Sequence, residues 1–593
     1  MAANMYYKLK EYLNNLEKFK AFLTSLKESD RLTILRQQDN SGDTILMLAA
    51  EHEHLDIVKC ILDLVPAADL QELLTVQNES GNIVFHGTTD ALKEHMLKCV
   101  PPDMLYSLLA IPNNEGNTVM HYLAMENNVQ LIKYVAKSVL SADLCRLIST
   151  QNKYGKTVIH RLVSPSCKDI MKCIIDAIPV TELYRLLSIQ DKNGRTAAHW
   201  ATDQGYTEIV QCMVESLPAP ELQKLITIQD KDGQTAMHRA SRKGHTETLK
   251  FMVDVLPTTN LLQIFNEKTG NTVAHETAIR GHTVAMQLIL NSIPGKNVSE
   301  FLAKLNKKGN TALHIATERG HSETVKCILD SVASSESNKL LFIQRNDGKT
   351  ALHCAAINGQ LHTVKYIVDA LPAADLHKLF SIQDIYGETA FHLVANNRDI
   401  ETLKYLIGVL STADLCKIIS VQDNSGQTVL HSAAYSDLEI VKCVVKCVPT
   451  SDLMKVLSIQ DNGGDSITHV RAYDCSTEIL EYLAGVLPEN SLYNLFSIKN
   501  KTGDTILHNV VADRQVQALK SIKSCLPKGQ FCQLLRLQNK KDSTSLHVAV
   551  CLWNRNETEL VQLLIDAVPA DQAFHLLSVQ NENGNTVFSL LQI

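Results

Sequence analysis

Histidine is the residue type whose number and spacing in this sequence most readily suggest chemistry. Thirteen of the 22 histidines lie five residues after a recurrent glycine or its replacement. A row of imidazoles has the ligands for a chain of metal ions, or the groups for a set of general bases. A residue that almost every copy of a pattern carries, however, meets a need of every copy. We therefore expect each imidazole to bond the neighbouring turn and a capping threonine. The positions are His86, His121, His160, His199, His238, His275, His314, His353, His392, His431, His469, His508 and His547.

Cysteine and the common catalytic motifs offer no alternative site. The 15 cysteines form no CxxC pair, and several recur at one repeat position: Cys60, Cys173, Cys212 and Cys327. This pattern indicates small buried residues in a reducing compartment, with neither disulfide nor zinc spacing. No phosphate-binding loop, HExxH motif or nucleophile with its base is present. We predict no catalytic, metal or cofactor site, and we expect no small-molecule ligand.

The recurrent glycine defines the architecture that must position these residues. Ten of its fourteen intervals are 39 residues. A fixed period of this length indicates stacked copies of one supersecondary unit. Each copy contacts mainly its neighbours, so we predict an all-α repeat solenoid whose function lies on a surface and not in a pocket. The glycines are Gly42, Gly81, Gly116, Gly155, Gly194, Gly233, Gly270, Gly309, Gly348, Gly387, Gly426, Gly464, Gly503 and Gly584, with Asp542 in place of one.

The copy around Gly309 shows how each unit should fold. Glycine suits a tight turn, and the hydroxyl of Thr311 can cap a short first helix. Gly320 should end that helix, and Ser322 should cap a second one. The second helix has one apolar face, formed by Val325, Ile328 and Leu329.

The residues of this copy resemble a known repeat family. The sequence Thr311-Ala312-Leu313-His314-Ile315-Ala316, followed by Gly320-His321-Ser322-Glu323, is similar to the signature of the ankyrin repeat, and the next copy has Thr350-Ala351-Leu352-His353. The resemblance runs from about Leu35 to the last residue in about 15 copies. It implies a finger-like turn followed by two antiparallel helices, and a non-enzymatic role in protein–protein interaction.

Each copy is about six residues longer than the usual ankyrin unit. The added stretch follows a proline, as in Pro66-Ala67-Ala68-Asp69-Leu70 and Pro372-Ala373-Ala374-Asp375-Leu376. Proline should stop the second helix, and the aspartate should cap a new one. Leucines at i, i+3 and i+4 give it an apolar edge. The sequence therefore predicts an extra short helix in each unit.

The remaining sequence sets domain boundaries and cellular context. Residues 1–34 carry amphipathic patterns and are expected to form a helical N-terminal cap. Residues 35–593 should form the repeat array, with its last copy truncated. There is no apolar leader and no apolar run long enough to cross a membrane, so we expect a cytoplasmic protein without membrane insertion. The cytoplasm is either that of its own cell or that of a host.

The positions that vary around this frame are the candidate binding residues. In ankyrin-like proteins the finger tips and first-helix ends line a concave face, so the resemblance implies that these positions contact a partner. Copies four to eight carry twelve basic residues there: Lys153, Lys156, Lys192, Arg195, Lys231, Arg242, Lys243, Lys268, Arg280, Lys307, Lys308 and Arg319. Three acidic residues lie among them: Asp203, Asp232 and Glu318. Copies one to three carry Asp43, Glu51, Glu79, Asp90, Glu115 and Glu126, and copies nine to eleven are mostly neutral, with Asn346, Ile385, Tyr386, Asn396, Asn397 and Tyr435.

These charges favour a scaffold that binds an acidic protein segment in its middle copies. The alternative is that they are solvated surface charges. Binding of nucleic acid through the same basic stripe is a second alternative, which the net charge of −7 and the aromatic content of 5% disfavour. A third is an adaptor that recruits other machinery. Trp200 is either an exposed anchor or packed between layers, and we favour packing. Similar long arrays occur in intracellular bacterial symbionts and in some invertebrates, and the bacterial case suggests an effector that acts on host proteins.

Overall fold

The computed structural model describes residues 2–256, 261, 270–333, 335–469, 476–553 and 558–591. Within these ranges the chain is helical and has no β-strand, although isolated bridges join Gln38 to Thr44 and Gln580 to Thr586. The chain divides into two compact units, residues 1–294 and residues 295–593. The prediction of an all-α repeat solenoid is confirmed.

The copy around Gly309 shows the local causes of the repeated fold. Thr311 caps the helix Ala312–Glu318, and its hydroxyl accepts the N–H of His314. Gly320, which follows, has φ of 77°, the left-handed conformation that ends a helix most easily when no Cβ is present. The second helix is Ser322–Asp330. The prediction that Ser322 caps it is wrong, because Ser322 is already helical and shares a hydrogen bond of 2.9 Å with the Thr363 hydroxyl of the next copy.

The predicted extra helix is present. It spans Ala67–Leu74 in copy one and Ala373–Phe380 in copy nine, and its leucine edge is buried, as Leu376 and Leu379 show. Proline, not aspartate, occupies the N-cap position, and it makes no side-chain capping hydrogen bond. Asp375 lies in the first turn, where it pairs with Lys378 at 2.8 Å.

We call the three helices of a copy inner, outer and third, in chain order. In residues 1–294 three helices precede the first inner helix: Ala2–Glu11, Leu16–Ser25 and Glu28–Leu35. They contact, in that order, the inner, outer and third helices of copy one. The inner helices are Ile45–Glu51, Val119–Met125, Val158–Arg161, Ala197–Gln204, Ala236–Lys243 and Val273–Arg280. The outer helices are Leu55–Leu64, Asp90–Cys99, Val129–Ser138, Lys168–Ala177, Thr207–Glu215, Thr246–Asp254 and Thr283–Ser292. The third helices are Ala67–Leu74, Pro102–Leu109, Ser141–Ser149, Val180–Leu187 and Ala219–Ile226, and a 3-10 turn spans Pro165–Cys167.

Residues 295–593 repeat the same order. The inner helices are Ala312–Glu318, Ala351–Ile357, Ala390–Asn396, Val429–Ser436, Ile506–Ala512, Ser545–Trp553 and Val587–Leu591, with a 3-10 turn at Ile467–His469. The outer helices are Ser322–Asp330, Leu361–Asp369, Ile400–Gly408, Leu438–Cys447, Ser476–Val486, Val516–Cys525 and Thr558–Ile565. The third helices are Gly295–Leu302, Ser337–Leu341, Ala373–Phe380, Thr412–Ile419, Thr450–Leu457, Glu489–Phe496, Lys528–Leu535 and Ala570–Leu577.

The core of each unit lies between like helices of successive copies. Inner helices contact inner helices and outer helices contact outer helices, as Ala197–Gln204 does with Ala236–Lys243. The prediction for the repeated cysteines is only partly confirmed. Cys60 and Cys327 are buried, whereas Cys173 and Cys212 are half-buried on the same helix face.

Candidate functional site

The finger before each inner helix is held rigidly by its own side chains. In copy four the Asn152 side-chain oxygen accepts the backbone N–H groups of Tyr154 and Lys156, each at 3.0 Å. Gly155 has φ of 75°, and a Cβ placed on it would lie 2.7 Å from the Lys192 nitrogen. Glycine is therefore needed both for the turn and for the close approach of the next finger.

Hydrogen bonds also join each finger to the next. The Lys192 N–H donates to the Tyr154 carbonyl at 3.0 Å, and the Gln151 amide donates to the carbonyls of Gly155 and Gln190, at 2.7 and 2.9 Å. These glutamines were not among the predicted residues, although they recur four residues before the glycine. The same pair of bonds is made by Gln77, Gln344, Gln383, Gln422 and Gln538.

The repeated histidines join copies, as predicted. His121 Nδ1 accepts the Thr118 N–H at 3.1 Å and lies 2.9 Å from the Thr118 hydroxyl. Nε2 must then carry the hydrogen, which it donates to the Lys156 carbonyl of the next finger at 3.1 Å. The same two contacts recur at His160, His199, His314, His353, His392, His431, His469, His508 and His547.

Burial keeps these imidazoles neutral. It lowers the pKa of His121, His199 and His314 to about 4, because the charged form is poorly solvated inside the stack. Both ring nitrogens of these three residues already have a partner. In the part of the chain that the structure describes, no group of three or more His, Cys, Asp or Glu side chains is placed to hold a metal ion.

The structure places most of the twelve predicted basic residues on the surface. Lys156, Arg195 and Arg242 are half-buried, and Lys268 lies outside the described residues. Exposed side chains are Lys153, Lys192, Lys231, Lys243 and Arg280 in residues 1–294, and Lys307, Lys308 and Arg319 in residues 295–593.

Intramolecular contacts use part of this positive charge. Lys153 pairs with Glu115, and Arg242 pairs with the fully buried Glu276 at 3.0 Å. Lys192, Lys231, Lys243 and Arg280 form no ion pair with any residue of the described ranges. We call these four residues the free basic set, since they are exposed cations available to a partner.

Trp200 is neither a bare anchor nor a core residue. It is half-buried, and its indole N–H donates to Asp191 at 3.0 Å. The Lys156 ammonium lies 3.9 Å from the ring centroid, and the Arg195 guanidinium lies 5.3 Å from it. The preference for packing between layers is only partly confirmed, because the ring packs against Lys156 of the preceding copy but keeps part of its surface exposed.

The slot after the repeated histidine carries charges that the sequence analysis missed. Arg239, which follows His238, is buried and donates from Nε to Asp230 at 3.1 Å. Its guanidinium also reaches Asp232 at 3.2 Å. Glu276, which follows His275, accepts the Asn271 amide at 2.9 Å in addition to its Arg242 pair. The signal was present in the sequence, since this slot varies between copies as the finger tips do.

The acidic and neutral candidate residues do not all lie on the predicted face. Glu126 pairs with Lys93, a side chain with no exposed surface, at 2.6 Å. Asp90 is exposed but begins an outer helix, because copy two has no inner helix to place it on the predicted face. In residues 295–593 the finger tip of copy ten exposes Ile385 and Tyr386, at 53% and 60% of their surface.

Comparison with known families identifies the repeats. The family described as ankyrin repeats in three copies matches residues 180–261, 257–339, 297–379, 328–413 and 374–456, and the single ankyrin repeat matches residues 41–71. These ranges cover more than half of the chain. No curated protein matches the chain significantly. No helix in the described ranges has the length and apolar character needed to span a bilayer.

Proposed function

Because the chain belongs to the ankyrin repeat family, we propose that it is a non-enzymatic scaffold that binds a protein partner along its finger tips and inner-helix ends. Ankyrin repeats are a protein–protein interaction module. The finer statement, that the partner presents an acidic segment to the middle copies, is our proposal. It is supported by the free basic set of residues 1–294.

The proposal depends on the free basic set, because its four residues take no part in the ion pairs described above. Lys192 and Lys231 lie on successive finger tips, and Lys243 and Arg280 end the inner helices Ala236–Lys243 and Val273–Arg280. Arg242 and Lys153, by contrast, already have carboxylate partners. A partner carboxylate would therefore find four exposed cations without breaking an internal ion pair.

The rigidity of the fingers supports binding by a preformed surface. Each finger is fixed by its Asn or Asp side chain, and neighbouring fingers are joined by backbone and glutamine hydrogen bonds. Lys192 and Lys231 therefore project from an ordered backbone, which lowers the entropy lost on binding.

A capture experiment tests the proposal. The immobilised wild-type chain is compared with a variant carrying Lys192→Glu, Lys231→Glu, Lys243→Glu and Arg280→Glu. A matched control carries four lysine-to-glutamate changes at exposed outer- and third-helix positions of the same residues 1–294: Lys137, Lys172, Lys224 and Lys250. We expect wild type and control to capture the same partner and the first variant to lose it. Equal capture by all three would contradict the proposal.

Two further arms separate the alternatives. If the ligand is nucleic acid, addition of plain DNA should abolish capture. This result would favour nucleic acid over a protein as the partner. The effector role rests on the resemblance to arrays of intracellular bacteria, so it is tested with candidate host lysate as the source of partner. Capture of a host protein that depends on the free basic set would support the effector role. Failure to capture a protein from any candidate host lysate would refute it.

A further inference from the structure

The third helix of copy eight differs from the third helices of the other copies at one buried position. Four residues before the last apolar residue of the helix, this copy has Ser337. The last third helix has Ala573 there, and the other described third helices have a large apolar side chain: Leu70, Leu105, Leu144, Leu183, Leu222, Val298, Leu376, Leu415, Leu453, Leu492 and Phe531. Leu376 is 4% exposed, so the slot normally fills the interior.

The same third helix is also shorter. It spans the five residues Ser337–Leu341, against eight in Ala373–Phe380 of the next copy. Ala333 stands where the next copy has Pro372, whose ring fixes the backbone at the helix start. Copy eight therefore lacks both the leucine and the first turn of the third helix.

A cavity of about 640 Å³, open to solvent on one side, lies between copies eight and nine. Its apolar wall is formed by Leu329, Val332 and Ala370, and Ser337 lies where the missing leucine would be. The volume is in the range of sites that take a whole side chain or a small ligand.

The open side of the cavity carries negative charge. Asp330 is the last residue of the outer helix Ser322–Asp330, and Asp369 is the last residue of Leu361–Asp369. Both side chains are exposed and neither forms an ion pair with a described residue. Helix C-termini have a partial negative charge that adds to that of the two carboxylates, so a cation is favoured there.

Lys326, which also lines the cavity, offsets one of the two negative charges but forms no ion pair with either carboxylate, and the Tyr405 hydroxyl donates to Asp369 at 3.4 Å. The Lys326 ammonium lies over the Tyr366 ring of the next copy, 5.5 Å from its centroid, and the Tyr366 hydroxyl donates to Glu323 at 3.3 Å. Tyr366 and Lys326 thus close one side of the cavity.

We propose that this cavity binds a lysine or arginine side chain of a protein partner. The aliphatic stem of that side chain would contact Leu329, Val332 and Ala370, and its charged group would lie between Asp330 and Asp369. Charge complementarity favours this occupant, because an apolar wall beside two carboxylates fits a long side chain with a cationic end. The site lies in residues 295–593 and is distinct from the free basic set.

The probes for the test are two short peptides, acetyl-Gly-Arg-Gly-amide and the same peptide with uncharged citrulline in place of arginine. Binding to the full chain is measured by saturation-transfer NMR. We expect the arginine peptide to bind and the citrulline peptide to bind at least about tenfold more weakly, since only arginine carries the charge. Equal binding of the two peptides would overturn the proposal.

Two variants locate the site. Ser337→Leu gives this copy the residue that most others carry, so it should fold. Its larger side chain should narrow the apolar part of the cavity and weaken binding. Asp330→Asn with Asp369→Asn keeps the shape and removes the charge, and should weaken binding at least about tenfold. Asp176→Asn, in the same outer-helix slot of residues 1–294, is the control and should bind as wild type. Wild-type binding by both Ser337→Leu and the Asp330/Asp369 variant would overturn the proposal.

A last arm distinguishes a partner side chain from a free organic cation. Ethylguanidinium carries the same charged group without a peptide backbone. We expect it to bind more weakly than the arginine peptide. Tighter binding of ethylguanidinium would assign the cavity to small cations and overturn the protein-partner assignment. The four substitutions of the free basic set should leave peptide binding unchanged, so failure of this proposal is distinguishable from failure of the proposed function.

Discussion

At the residue scale, the repeated histidine is a connector between copies. In copy eight, His314 Nδ1 lies 2.7 Å from the Thr311 hydroxyl, and Nε2 donates to the Lys349 carbonyl of the next copy at 3.2 Å. Each imidazole thus satisfies a helix cap and a buried finger carbonyl that would otherwise lack a partner. This role was predictable from the recurrence of His with Thr three residues earlier.

Replacement of one such histidine should be costly. His314→Ala leaves the Lys349 carbonyl and the Thr311 cap without their bonds, so we expect a loss of about 1–3 kcal/mol in the free energy of unfolding. Urea unfolding followed by circular dichroism measures it. His362→Ala, at an exposed histidine outside the slot, is the control and should change stability by less than about 0.5 kcal/mol. Equal effects of the two changes would refute the connector role.

The neutral histidines also predict how stability depends on pH. Their pKa is lowered from 6.5 to about 4 in His121, His199 and His314, so between these values the unfolded chain binds protons that the folded chain does not. Folded stability is therefore fully present above pH 6.5 and falls as the pH drops toward 4, by up to about 1.4 kcal/mol per pH unit for each histidine.

Urea midpoints measured from pH 7.5 to pH 4 test this prediction. Their decline should begin near pH 6.5, above the range in which ordinary carboxylates titrate. His314→Gln removes one titrating group and should make the decline shallower. A midpoint that stays constant down to pH 5 would contradict the assignment of neutral, buried imidazoles.

At the scale of elements, the finger and its three helices followed from short-range chemistry. Gly309, Thr311 and Gly320 acted as predicted, because turn formation, capping and helix termination depend on neighbouring residues alone. Ser322 and Asp375 were assigned wrongly as caps, since both sit one to three residues inside the helix that they were expected to precede. Propensity does not distinguish these positions, and the proline and the preceding turn decide the first helical residue.

The finger glycines give a prediction at this scale. Gly348 has φ of 77°, and a Cβ on it would lie 2.8 Å from the Ile385 nitrogen of the next finger. We expect Gly348→Ala to lower the free energy of unfolding by about 1–3 kcal/mol through backbone strain and separation of two fingers. Thermal unfolding followed by circular dichroism measures the change.

Gly485→Ala provides a matched control in the same unit. Gly485 lies in the helix Ser476–Val486, and a Cβ there meets no atom within 4 Å. Alanine is the better helix former, so this variant should be unchanged or more stable by up to about 1 kcal/mol. A Gly348→Ala variant as stable as Gly485→Ala would contradict the close approach of the fingers.

At the scale of the whole molecule, the sequence predicted the charges but not their pairing. The twelve basic residues were counted as one stripe, yet Arg242 is held by Glu276 and Lys153 by Glu115. These pairings depend on the contacts between successive copies, which the sequence does not specify. The free basic set is what remains in residues 1–294 after this pairing. The prediction that residues 35–593 form one array rests on the 39-residue spacing, which continues from Gly270 to Gly309.

Lysine footprinting of the captured complex tests the central claim most directly. Acetylation rates are measured for the chain alone and with its partner bound. If the finger tips and inner-helix ends form the recognition surface, Lys192, Lys231 and Lys243 become protected on binding, whereas Lys137, Lys172, Lys224 and Lys250 on the outer and third helices react as before. Protection of the second group with unchanged reactivity of the first would show that the partner binds another face and would contradict the account.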